Sequence, residues 1–213
     1  MSPRLSRAEQ NDRNRALLLA AALRVFLARG YHAATLEQIA DEAGFSKGVV
    51  YSRFDSKADM FLALLTDRIT ERATQNASAA GQLAGSGLSA ALLELAWQAE
   101  RATPGWRLLV TEFRVHAARD PELNRRYAAA HASTVDGVAS ALASVAERNG
   151  HALALPARQI AELLLAIETG LALEQLADPH AVSLLQLPSV LGELATLLAG
   201  SPASGEIPEL RQA

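Results

Sequence analysis

The chain has 213 residues, half of them hydrophobic and 20% charged, which is enough to bury a core without disulfides or metals. It contains no cysteine, which excludes disulfides, thiolate metal sites and cysteine nucleophiles and favours a reducing, cytoplasmic location. The net charge of −3 is uneven, because residues 1–60 carry nine Lys/Arg against seven Asp/Glu and residues 61–213 carry eleven against sixteen.

The local charge excess matters more for a nucleic-acid partner than the total. Exposed charges are screened beyond about 8 Å at physiological salt, so DNA would respond to the basic N-terminal part. The polar start of the chain lacks the apolar stretch of a signal peptide. No stretch of about 18 apolar residues is free of charge, so we expect no membrane span.

A first helix is predicted over residues 11–29. Apolar residues recur on one of its faces, and Gly30 follows it as a helix-ending glycine. The residues of this face are Leu18, Leu19, Ala22, Val25 and Phe26. Residues 1–10 precede the helix as a polar arm that we expect to be flexible.

Two shorter helices are predicted over residues 35–43 and 47–54. Thr35 and Gln38 form a capping box at the start of the former, and Gly44 provides the sharp turn between them. These lengths and this turn are typical of a helix-turn-helix, whose second helix presents small and polar residues to DNA. A helical hairpin without DNA binding is the alternative that periodicity alone leaves open.

The remaining helices complete an all-α fold. The capping pattern at residues 56–59 opens a long helix towards residue 80, and a glycine-rich loop follows at residues 81–87. Further helices are predicted over residues 88–103, 106–119, 122–148, 156–177 and 188–199. The sequence therefore predicts a three-helix DNA-binding domain at residues 1–60, a larger helical domain at 61–200 for ligand binding and dimerisation, and a mobile tail at 201–213.

The stretch from Phe26 to Leu65 resembles the N-terminal domain of TetR/AcrR-family regulators. The shared residues agree in order and spacing: Gly30-Tyr31, Thr35, Ile39-Ala40, Ala43-Gly44, Ser46-Lys47-Gly48, Tyr51, Phe54 and Ser56-Lys57. This resemblance implies a cytoplasmic transcriptional regulator, by family default a repressor, that a small-molecule effector releases from a palindromic DNA operator. It implies no enzymatic activity and no cofactor.

The resemblance also implies which residues contact DNA. The residues expected to face bases are Ser46, Lys47, Gly48 and Val49. The residues expected at phosphates are Thr35, Tyr51 and Lys57, and Arg53 is expected at a phosphate or a base. Val49 would suit the methyl group of thymine, and the dipole of the helix that Lys57 opens would add to its attraction for anions.

Residues 156–177 carry apolar side chains on two faces, whereas a surface helix needs only one. This pattern predicts one face for the core and one for a second copy of the chain, joined by the last helix in a four-helix interface of the family type. A helix buried entirely within one subunit is the alternative. The expected interface residues are Ile160, Leu164, Ile167, Leu171, Leu191, Leu194 and Leu198.

An effector pocket is expected among large apolar residues with a few polar ones. The candidates are Trp97, Trp106, Phe113, His116, Tyr127, His131, Glu168 and Thr169, and for each of them ordinary core packing is the alternative. The five histidines lack metal-ligand spacing, so we expect no metal. The sequence also lacks a phosphate loop, a nucleophile elbow and a catalytic carboxylate pair, which disfavours an enzyme and leaves a helical interaction module as the second alternative.

Overall fold

The computed structural model describes residues 6–82, 105–148, 150 and 152–178. Over these residues it is helical and contains no strand, which confirms the all-α prediction for this part of the chain. The helices are α1 (Arg7–Ala33), α2 (Leu36–Ala43), α3 (Lys47–Tyr51), α4 (Lys57–Gln82), α5 (Trp106–Ala117), α6 (Pro121–Arg148) and α7 (Ala157–Ala177). The predicted helices at 88–103 and 188–199, and the predicted tail, lie outside the described residues.

Helix α1 begins four residues earlier than predicted and contains a break near its end. The Oγ of Ser6 accepts a hydrogen bond from the amide of Glu9, whose carboxylate accepts one from the amide of Ser6 at 2.7 Å. This capping box orders part of the segment that was expected to be a flexible arm. Gly30 has φ +74° and ψ 168°, so it interrupts the helix where the sequence predicts an end.

The helix-turn-helix forms as predicted, with a shorter second helix. Thr35 and Gln38 make the reciprocal hydrogen bonds of a capping box, and Gly44 ends α2 in the left-handed region at φ +71°. Helix α3 ends at Tyr51, three residues before the predicted boundary. Ser46 precedes α3 at its N-cap position, but its side chain makes no capping hydrogen bond.

The chain folds into two compact units. The first unit comprises residues 1–74 and 103–134, and its core joins α1, α2 and α3 to α4, α5 and the start of α6. Phe61 lies in the middle of this core, stacked on Phe113 at 4.2 Å and edge-to-face with Phe26 at 5.4 Å between ring centroids. The predicted domain boundary at residue 60 therefore cuts through one packed core, and as a functional division it stays a prediction.

The second unit comprises residues 75–102 and 135–213. Its described core brings Ile160 and Ala161 of α7 against Val135 and Leu142 of α6. Helix α7 follows Pro156, and Arg158 in its first turn forms ion pairs with Asp136 of α6 and Glu162 of α7. The packing thus fixes which face of α7 points into this unit.

Among the described helices, α1 is the one long and apolar enough by length and composition to cross a membrane. A core helix satisfies the same criterion, and α1 buries Leu18, Phe26 and their apolar neighbours in the first unit. Its apolar composition is therefore explained by core packing.

Candidate nucleic-acid interface

One side of helix α3 packs into the core of the first unit, and the other side is exposed. Val50 is completely enclosed in the core of the first unit, whereas Ser46, Lys47 and Gly48 are exposed and Val49 is partly buried. The exposed residues form a short surface of small and basic character at the N-terminal end of α3. This is the part of a recognition helix that enters the major groove in helix-turn-helix proteins.

Gly48 has no packing partner that would require a glycine. A β-carbon at this position would meet only the Oγ of Ser46, at 3.9 Å, and Gly48 has ordinary helical geometry. Glycine lowers helix stability by about 1 kcal/mol relative to alanine. The fold therefore does not require glycine at this position. The remaining explanation is that the missing side chain allows another molecule to approach the backbone closely.

Tyr51 lies beside the exposed end of α3, and 49% of it is exposed. Its hydroxyl donates a hydrogen bond of 2.8 Å to Oε1 of Glu37 on α2. This bond raises the pKa of the Tyr51 hydroxyl and lowers the pKa of the Glu37 carboxyl. The donor that would serve a phosphate is thus already engaged by a carboxylate, a competitor that the sequence pattern did not reveal.

Lys57 does not present a free ammonium group in this structure. Its Nζ donates to the carbonyl oxygens of Tyr31, His32 and Ala34 at 2.6, 2.9 and 2.9 Å. An ammonium group has three N–H donors, so all of them are used. Burial lowers the pKa of Lys57. This geometry differs from the phosphate contact predicted from the sequence. It indicates that Lys57 stabilises the backbone at the end of α1.

The two other predicted phosphate contacts lie in different settings. Thr35 is exposed, its Oγ1 accepts from the amide of Gln38 at 3.3 Å, and its side chain also hydrogen-bonds to the Glu37 carboxylate, whose pKa this bond helps to lower. Arg53 is half-buried and donates through Nη1 to the carbonyl oxygen of Asn11 at 3.3 Å. Arg53 consequently ties α1 to the segment after α3, a contact that no local pattern reveals.

The predicted effector residues of the first unit are mainly core residues. Phe113 is completely enclosed, and Tyr127 is 5% exposed. Trp106 is stacked at 6.1 Å on Phe61, and His131 at 6.0 Å on Tyr127. Phe113 and Tyr127 are thus packed as core residues, which is the alternative to a pocket role, and their contact with an effector stays a prediction.

The other effector candidates are spread more widely. His116 is half-buried and lies 5.1 Å from the ring of Tyr31, between ring centroids. Glu168 and Thr169 are half-buried on α7 in the second unit, and the hydroxyl of Thr169 donates to the carbonyl oxygen of Leu165 at 2.8 Å. Trp97 lies outside the described residues. The structure thus divides the candidates between the two units.

Asn76 of α4 was not predicted as a ligand residue. It belongs to the second unit and is 7% exposed, yet its Oδ1 finds no hydrogen-bond partner within the part of the chain that the structure describes. An unsatisfied buried acceptor costs about 1–3 kcal/mol, which makes such an atom a marker for an additional molecule. The sequence signal was an asparagine within an otherwise regular helix.

The predicted dimer residues of α7 differ in their exposure. Ile160 is 4% exposed and packs on Val135 and Leu142 of the same chain, so its side chain is unavailable to a partner. Leu164 and Ile167 are partly buried, and the large apolar residues most exposed on α7 are Leu163, Leu173 and Leu176. The side chain of Leu171, together with Leu191, Leu194 and Leu198, lies outside what the structure describes.

These features define the class of the protein as a helix-turn-helix DNA-binding protein, with an anchored short helix that exposes its N-terminal end. Residues 18–64 match the family model of bacterial regulatory proteins of the tetR family, and residues 87–199 match the model of the C-terminal part of BetI-type transcriptional repressors. The chain belongs to the TetR family of bacterial transcriptional regulators, as the resemblance predicts.

One sequence relative is the HTH-type transcriptional activator FasR of Mycolicibacterium smegmatis. It is 54% identical over 54 residues, a match that covers 25% of this chain and 25% of FasR. The similarity is therefore restricted to a quarter of each protein, and it supports the DNA-binding function rather than any particular ligand.

Two solved structures extend the likeness over most of the chain. FadR from Bacillus subtilis in complex with stearoyl-CoA has a TM-score of 0.62, 17% identity, and coverage of 88% of this chain and 99% of that one. A regulator from Saccharomonospora viridis in complex with choline has a TM-score of 0.64, 21% identity, and coverage of 86% and 95%. At these identities the comparison establishes the common fold.

Proposed function

We propose that the protein is a homodimeric repressor that binds a palindromic operator through α3 and is released from it by a small-molecule effector. The exposed end of α3, with Lys47 and Gly48 projecting beyond the enclosed Val50, is the observation that carries the DNA-reading part. Lys47 at the first turn suits the N7 and O6 acceptors of guanine in the major groove. The matched description of a transcriptional repressor over residues 87–199 supports repression.

A helix of five residues touches too few bases to select one site in a genome, so two copies are needed. The exposed face of α7 supports this dimer. Leu163 is 49% and Leu173 is 43% exposed, and the small residues Ala166 and Gly170 on the same side of the helix are exposed as well. Large apolar residues beside small ones allow two helices to approach closely, which is typical of a buried helix pair.

The effector proposal is supported by Asn76 and by the neighbours' ligands. The Oδ1 of Asn76, for which the described residues provide no hydrogen-bond partner, would accept from a hydroxyl or N–H group of the ligand. The structures similar to this chain contain stearoyl-CoA in one case and choline in the other, so the shared fold accommodates chemically different ligands. We infer an effector with at least one hydrogen-bond donor.

The operator part is tested by selecting bound sequences from a pool of random DNA duplexes. We expect an enriched inverted repeat whose selectivity depends on Lys47. Lys47→Ala should lose about 1–3 kcal/mol of discrimination at a contacted base pair. Arg119→Ala, at an exposed cation just after α5, is the matched control and should retain the selected preference. A pool without an enriched sequence would refute sequence-specific binding.

The effector part is tested by screening small molecules for release of the selected duplex, with Asn76→Leu beside the unchanged protein. The leucine has a similar volume and no polar atom, so it removes the unsatisfied acceptor. We expect Asn76→Leu to raise the melting temperature of the ligand-free protein and to weaken its response to any active compound. A lower melting temperature would mean that Asn76 is satisfied in solution and is not kept for a ligand.

A further inference from the structure

The segment of residues 30–34, here called the α1–α2 joint, comprises the end of α1 from its break onward and leads into α2. Gly30 breaks α1 at φ +74°, and the joint runs directly into Thr35, the N-cap of α2. The amide of Tyr31, just past the break, donates a hydrogen bond of 2.7 Å to Oε2 of Glu112 on α5. A residue 81 positions away thus holds the backbone at the entrance to the DNA-reading helices.

The contact between Glu112 and the joint is tight. A β-carbon at Gly30 would lie 2.9 Å from Oε2 and 3.2 Å from Oε1 of Glu112, closer than real contacts of that kind. Two features therefore favour glycine at position 30: its positive φ and the Glu112 carboxylate, which leaves no room for a β-carbon.

The opposite side of the joint is held by a cation. Lys57 of α4 donates to the carbonyl oxygens of Tyr31, His32 and Ala34, and its Nζ lies 4.6 Å from the centroid of the Tyr31 ring. An anion therefore binds the N–H side of the joint and a cation binds its carbonyl side. Hydrogen bonds with a charged partner are about twice as strong as neutral ones, so the joint is firmly fixed.

We propose that Glu112 is a positioning residue for operator recognition, acting through the α1–α2 joint and touching no DNA itself. It fixes the direction in which the chain enters α2, and with it the placement of the exposed end of α3. Because Glu112 belongs to α5, any displacement of α5 also moves the joint. The inference rests on DNA binding by this family and adds a residue outside the helix-turn-helix to it.

The test uses Glu112→Ala, Glu112→Gln and the matched control Glu122→Gln. Glu122 is an exposed carboxylate of α6 that pairs with Arg125 on its own helix, so its change alters the net charge equally. We expect Glu112→Ala to bind the selected operator about tenfold more weakly, and Glu112→Gln, which keeps an acceptor oxygen, to fall between it and the unchanged protein. Affinity for a random duplex should hardly change, and the control should behave like the unchanged protein.

A merely structural role would lower the melting temperature and leave the operator-to-random affinity ratio unchanged, and that result would overturn the proposal. If Glu112→Ala fails to fold, Glu112→Asp, which keeps the charge and withdraws the oxygens by one methylene, replaces it. Hydrogen exchange of the unchanged protein gives a readout without DNA: slow exchange of the Tyr31 amide is expected, and fast exchange would contradict the clamp. A protein that binds no DNA would instead refute the operator function.

Discussion

At the scale of single residues, α3 separates side chains that the fold requires from side chains that it does not. Val50 is enclosed and holds the helix, whereas Lys47 and Gly48 are exposed. Residues of the second kind are free to serve recognition, because changing them has little effect on the core. Specificity and stability should therefore respond to different substitutions within five residues of sequence.

Gly48→Ala tests this separation. The added methyl group meets only the Oγ of Ser46 at 3.9 Å, and alanine favours a helix by about 1 kcal/mol, so stability should rise slightly. DNA affinity should fall, because the methyl group fills the space left for the double helix. Thermal unfolding and a mobility shift on the selected duplex measure the two effects. Unchanged DNA affinity in the alanine variant would show that no close approach occurs at this position.

Glu37→Gln tests the competition for Tyr51. The change removes a negative charge beside a proposed phosphate contact and weakens the hold on the Tyr51 hydroxyl. Since interactions between exposed charges are weak, binding to operator and random duplexes should both tighten only modestly, about two- to fivefold. Glu42→Gln, on the same helix but paired with Arg24, is the control. Weaker binding by Glu37→Gln would contradict the competition.

Lys57→Met separates the two roles of that lysine, because methionine keeps the apolar stem and removes the ammonium. The carbonyl contacts predict a loss of about 2 kcal/mol in the free energy of unfolding and an unchanged slope of log K against log salt. A phosphate contact predicts a shallower slope, by about one phosphate per subunit. Denaturant unfolding and titrations at several salt concentrations distinguish them, and a shallower slope would restore the phosphate role.

At the scale of helices, the sequence predicts the features that depend on residues close together in the chain, such as capping boxes. Thr35 and Gln38 are three positions apart, and their capping box sets the start of α2 as expected. Ser6 and Glu9 carry the same signal, but the apolar face of α1 begins only at Leu18, so the apolar pattern predicts a later start. Helix α1 therefore starts earlier than expected for a reason that the sequence does contain.

Contacts between segments far apart in the chain cannot be predicted from the sequence. The bond of Glu112 to Tyr31 spans 81 residues, and the bonds of Lys57 to the end of α1 span 23 to 26. No periodicity or spacing encodes such pairs. Similarly, the sequence shows two apolar faces on α7, but only the position of α6 determines that Ile160 points inward.

Leu163→Glu tests the outward face of α7. Leu163 is 49% exposed in the single chain, so a charge there should leave each subunit folded and convert dimers to monomers. Ile160→Ala is the matched change on the inward face. It should cost about 2–5 kcal/mol of stability and leave the subunits associated. Sedimentation and thermal unfolding report both, and a Leu163→Glu variant that remains dimeric would exclude this face from the interface.

At the scale of the whole molecule, two helices contribute residues to both compact units. Helix α4 provides residues 57–74 to the first unit and residues 75–82 to the second, and α6 is divided after Thr134. A ligand can release DNA only if it binds the DNA-free arrangement better than the DNA-bound one. Helices shared by the two units are the parts of the chain suited to carry that preference.

The proposed switch requires DNA and effector to compete through one conformational equilibrium. Calorimetric titration of an effector found in the release screen, without and with saturating operator, measures this competition. Linkage requires operator to weaken effector binding by the same factor by which effector weakens operator binding, typically about 5- to 150-fold. We predict that saturating operator weakens effector binding by a factor in this range. Equal effector affinities in the two titrations would show a DNA-binding protein that the ligand does not control.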